Sequence, residues 1–105
     1  MNFRLFSATH IQELAQSLAA DIANRYPAAI ANSPGPLVSQ QRRSEILEKV
    51  FSHARQFSLE NRLGLLGRIR LENTLRGRLK EMGYDEKFIA TATDYLLASV
   101  TREPK

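Results

Sequence analysis

In separate segments between Ile11 and Val100 the apolar residues recur every three or four positions, and no segment shows the strict alternation of a half-buried strand. Residues 2–6 come closest to alternation and are expected to pack, if at all, as an extended arm. Spacing of this kind places the apolar side chains on one face of a helix, so the chain is expected to be all-α. At 105 residues it has room for one domain and one modest core, spanning residues 1–105.

The first stripe is Ile11, Leu14, Ala15, Leu18, Ala19 and Ile22, in a segment expected to run from Thr9 to Arg25. Thr9 and Gln12 have the spacing of a capping box. Pro27 stops this helix, because the residue before a proline is biased out of the α region. A long connection over residues 27–38 follows, with Ser33-Pro34-Gly35-Pro36 as turn chemistry and Ala28–Ala31 as one helical turn. It reads as a crossover loop, since neither side of it is large enough to fold alone. Ser39 is a suitable N-cap for the second segment, whose stripe is Ile46, Leu47, Val50, Phe51, Ala54 and Phe57. Ser58, with Glu60 behind it, has the pattern of a fresh helix start.

The third segment, Leu59 to Met82, is the least ordinary. At roughly 100° per residue, Leu59, Leu63 and Leu66 fall on one side, and Leu71, Leu75, Leu79 and Met82 on nearly the opposite side. Gly64 and Gly67 lie at the changeover. A break or kink near Gly67 would let each half bury its own stripe, and one long kinked helix is the favoured form. The alternatives are a straight central helix that buries different faces at its two ends, or one shared with a second copy of the chain, a homodimer.

Gly83 is placed to end that helix in a Schellman turn, with Tyr84 at the next position against Leu79. Asp85 then caps the last segment, whose stripe is Phe88, Ile89, Ala92, Tyr95, Leu96 and Val100. Thr91 and Thr93 are expected to be exposed or half-exposed. Met82-Gly83-Tyr84 followed by a helix ending Asp94-Tyr95-Leu96-Leu97 resembles the loop and last helix of ubiquitin-associated domains. Only one helical segment follows the loop here, so that family's third helix is missing and no ubiquitin-binding residue is carried over. The expected architecture is a bundle of four main helices.

The charge is uneven. Of a net +4, residues 39–80 carry +6, with ten Lys/Arg against four Glu, while residues 81–105 carry −2. Eight of the ten are Arg, the side chain suited to bidentate contact with phosphate or carboxylate. Arg70, Arg76 and Lys80 share one face of segment three, and Arg42 and Lys49 flank the stripe of segment two. Two such ribbons side by side would attract a polyanion. The plainer expectation is that these residues solvate helix faces and pair locally, Glu72 with Arg76 for example. Arg43 falls on the apolar face of its helix and is expected to snorkel out near the helix start.

The chain has no Cys, which removes disulfides, thiol nucleophiles and thiolate metal sites together. Its two His, His10 and His53, are 43 positions apart without ligand spacing, so no metal site is expected. No phosphate-binding Gly-rich loop, nucleophile elbow or paired-carboxylate motif is present, and no catalytic residue or cofactor is expected. No secretory leader or membrane span is read in the sequence, which gives a cytoplasmic expectation. What remains is amphipathic helix surface. The chain is therefore expected to be a small non-catalytic protein–protein interaction module, adaptor or regulator. Its partner would be another protein or itself, met through Leu59, Arg62, Leu63, Leu65 and Arg70. The alternative is a nucleic-acid-binding regulator using Arg42, Lys49, Arg70, Arg76 and Lys80. A weaker one is an antitoxin or immunity-type neutralising protein.

Overall fold

A computed structural model describes residues 8–32, 40–61 and 64–101, with side chains over 10–32, 40–57 and 64–100. Among them are α1 (Ala8–Arg25), the single turn α2 (Ala28–Ala31), α3 (Gln40–Asn61), α4 (Gly64–Glu81) and α5 (Glu86–Thr101), and no strand. The all-α bundle of four main helices is what the apolar periodicity predicts.

The predicted stripes form the core. Ile11, Ala15, Leu18, Ala19 and Ile22 of α1 meet Leu47, Val50, Phe51 and Ala54 of α3, Leu71, Leu75 and Leu79 of α4, and Phe88, Ile89, Ala92 and Leu96 of α5. Each fully buried Leu, Ile or Phe contributes about 1.5–3 kcal/mol of hydrophobic stabilisation. Ala15 and Ala19 leave α1 with a low surface, so α3 and α4 can both pack against it.

Neighbour relations set the layout. α1 packs on α3 and α4, and α5 packs on the same two, so α3 and α4 occupy opposite corners. α4 and α5 are joined by a tight corner and run antiparallel, with Arg76 reaching Thr93 and Lys80 reaching Glu86. α3 and α5 run the same way: Arg43 lies near Phe88 and Arg55 near Ser99. The C-terminal ends of α1 and α4 also meet, through Tyr26 and Tyr84.

The corner after α4 follows local rules. Gly83 has φ +97°, which suits a residue without Cβ. Its N–H donates to the Lys80 carbonyl and that of Tyr84 to the Leu79 carbonyl, both at 3.1 Å, which completes the Schellman turn. Asp85 caps α5 by accepting the Phe88 N–H at 2.9 Å. Asn32 clamps the corner from outside: its amide donates to the Gly83 carbonyl at 2.7 Å, and its Oδ1 accepts the Asp85 N–H at 3.0 Å.

The structure corrects five local expectations. α1 starts at Ala8, so Thr9 lies inside the helix and not at the position before it. Ser58 likewise lies inside α3, which runs on to Asn61. The break falls at Gly64, whose φ of +74° is easy only for glycine, and Gly67 sits within α4. Met82 is 38 % exposed, outside the buried stripe, because the helix ends one residue before it. Thr93 is buried, not exposed. Its hydroxyl donates back to the Ile89 and Ala90 carbonyls, an arrangement that satisfies a buried Thr within its own helix. Ser39 and the turn residues 33–36 lie outside the described residues.

Candidate interaction surface

α4 changes character along its length. From Leu71 onward, every fourth residue is buried in the core. Over the first two turns, Gly64 to Arg70, every side chain is exposed or half-buried. Leu65 is 66 % exposed, Leu66 79 % and Ile69 45 %. Helical spacing makes them one patch: Leu65 and Ile69 are four apart, and Leu66 and Ile69 three apart. The cause is length: among the described side chains of α4 the first to be buried in the core is Leu71, so the first two turns of this helix extend beyond the core.

Arg70 rims the patch, one helical turn from Leu66, and is exposed. No carboxylate among the described residues pairs with it. On the other side Arg68 is half-buried, and its Nε has no hydrogen-bond partner. From Asn61 to Leu71 the sequence has no Asp or Glu, and the nearest carboxylate along α4, Glu72, is engaged with Arg76.

Of the residues read from sequence as partner-binding, Leu65 and Arg70 lie together here. The side chains of Leu59, Arg62 and Leu63 lie outside the described residues. Ile69 and Leu66 also belong to the surface, beyond the residues that the sequence marks as partner-binding. The signal was available, since both stand off the 71–75–79 row and within a turn of Leu65.

The two basic ribbons do not form one face. Arg42 and Lys49 are exposed on α3, while Arg70, Arg76 and Lys80 are on α4 at the opposite corner. Arg76 is engaged with Glu72 at 3.0 Å and Lys80 with Glu86 at 3.3 Å. Thr93 also lies 3.4 Å from the Arg76 guanidinium. Two ribbons side by side would need α3 and α4 to be close neighbours, and each of these helices packs instead on α1 and α5. The predicted Glu72–Arg76 pair is present.

Two open clefts lie elsewhere. One, of about 350 Å³, is lined by Glu48, Ser52, Arg55, Tyr95, Ala98 and Ser99. The other, of about 340 Å³, has Arg43, Lys87 and Asp85 around Phe88. Half-buried Arg43 thus reaches the rim of a cleft, as snorkelling requires. His10 and His53 are both exposed. Among the described residues no group of three or more His, Asp or Glu is placed to hold a metal ion, and no helix is long and apolar enough to cross a membrane.

The fold and this surface define a small all-α bundle with a basic-rimmed apolar patch at one end. No protein-family model, no curated protein and no solved structure matches the chain.

Proposed function

We propose that the chain is a small helical protein–protein interaction module, an adaptor or regulator, which docks its partner on the first two turns of α4. The observation that carries this reading is the joint exposure of Leu65, Leu66 and Ile69 beside an unpaired Arg70. Leaving large apolar side chains in water at adjoining helix positions gives up stabilisation that burial would supply. Contiguous apolar patches rimmed by charge mark interaction sites more often than scattered single residues do. Aliphatic anchors next to Arg are also the chemistry of binding hot spots. The basic alternative, nucleic-acid binding through Arg42, Lys49, Arg70, Arg76 and Lys80, draws less support from a surface on which those residues are divided between two corners.

A photo-crosslinking amino acid in place of Leu66, expressed in the source cells, tests the reading. A discrete protein adduct is expected from position 66 and none from exposed Gln16 on α1. Absence of any adduct at position 66, or the same smear from both positions, would contradict it.

A further inference from the structure

Resting on that reading, we infer that the occupant of the α4 patch is an amphipathic helix of another protein, with Glu or Asp flanking its apolar face. Charge supplies the first argument. Arg70 is open and unpaired at the patch edge, Arg68 is close by, no carboxylate occurs between Asn61 and Leu71, and Glu72 just beyond is engaged with Arg76. A partner that brings its own carboxylates completes these cations, and one that brings Lys or Arg is repelled.

Area supplies the second argument, and it separates this occupant from a second copy. Three side chains of this size and exposure offer on the order of 300 Å² of apolar surface. A stable dimer needs about 800 Å² from each partner. A symmetric pair would also set each Arg68–Arg70 rim against its own copy, cation facing cation. One short helix asks for less surface and brings no such repulsion.

Geometry supplies the third. The patch is the side of a helical rod, with knobs at positions 65, 66 and 69. Such a ridge fits the grooves between side chains on another helix. Among the described residues there is no sheet edge to which an extended peptide could add a strand.

The test is a displayed library of helical peptides. Leu, Ile, Phe and Met are allowed on one face at helical spacing, and flanking positions are randomised among Glu, Gln and Lys. Selection is on the full chain at about 0.15 M salt, where surface charges act over about 8 Å, with counter-selection on L66E. The expected result is Leu66-dependent binders with Glu enriched and Lys depleted at the flanks. Arg70→Gln should weaken those binders by about three- to tenfold, the range for one rim charge pair, and weaken Lys-flanked peptides not at all. Leu66-dependent binders without Glu enrichment would overturn the acidic occupant and leave the docking surface standing. The same holds for Leu66-dependent dimerisation in light scattering, or Leu66-dependent binding to phosphatidylserine vesicles, when no Glu-flanked binder is selected. A library yielding no Leu66-dependent binder would overturn both readings. L66E alters an exposed residue, and unchanged helical circular dichroism confirms that the variant is folded.

Discussion

The Tyr84 hydroxyl donates a 2.8 Å hydrogen bond to the Tyr26 carbonyl, 58 positions earlier in the chain. The acceptor needs it. In a continuing helix the Tyr26 carbonyl would take the Ile30 N–H, but at Pro27 the chain turns and Ile30 donates to the Pro27 carbonyl instead. Both tyrosines are buried, and Phe88 packs between their rings, 5.4 Å from Tyr26 and 4.8 Å from Tyr84. One side chain thus joins the end of α1 to the α4–α5 corner.

Tyr84→Phe should cost about 1–3 kcal/mol, because it leaves a buried carbonyl without a partner. Burial also pushes the Tyr84 phenol from 10.0 up to about 12. Below pH 10 folded and unfolded chains both hold this proton, and its contribution to stability is intact. Between about pH 10 and 12 the unfolded chain releases it first, so stability falls, by roughly 2–3 kcal/mol once the folded phenol also ionises. Urea titrations across this range should show the decline in the wild type, reduced by that amount in Tyr84→Phe. An identical alkaline decline in both would contradict the assignment.

Three glycines should answer the same change with opposite signs. Gly77 lies in mid-α4 on the exposed side, without positive φ and with nothing within 4 Å of an added Cβ. Gly77→Ala should stabilise by about 0.5–1 kcal/mol. Gly64 has equally open space but a φ of +74°, and Gly83 has +97° with only the Ala28 Cβ at 3.9 Å. Ala at either should destabilise by about 1–2 kcal/mol through backbone strain alone. Thermal unfolding of the three variants checks the order.

Leucines on one helix should likewise divide. Leu75→Ala empties a fully buried site and should cost about 2–5 kcal/mol. Leu66→Ala removes a side chain 79 % exposed and should change stability by less than about 0.5 kcal/mol. Chemical denaturation separates them, and a large loss at Leu66 would mean that it is buried.

The Ser44 and Tyr95 hydroxyls meet at 2.6 Å and tie α3 to α5. A double-mutant cycle with Ser44→Ala and Tyr95→Phe should return a coupling of about 0.5–1.5 kcal/mol. A coupling near zero would mean that the contact is not made in solution.

What the sequence revealed was local. Gly83, Tyr84 and Asp85 obey capping rules that operate within a few residues, and the 71–75–79 row carries its own periodicity. Three kinds of feature were hidden. The α3–α4 boundary is obscured because Ser58 with Glu60 imitates a cap inside a continuous helix, whereas α4 starts at Gly64 with a positive φ. The roles of Asn32, Ser44 and Thr93 are not legible in the sequence because they depend on partners or burial that only the assembled bundle supplies. For the surface, Leu65 and Arg70 were legible as candidates. That α3 and α4 stand at opposite corners was not, because helical periodicity says which face of a helix is buried and nothing about which helix covers it.

The whole account depends on α4 entering the core only at Leu71. Methyl NMR of the leucines with a soluble paramagnetic agent measures this directly. The Leu65 and Leu66 methyls should broaden strongly, while those of Leu71, Leu75 and Leu79 stay sharp. Equal protection of all five would contradict the exposed patch, and with it the docking surface.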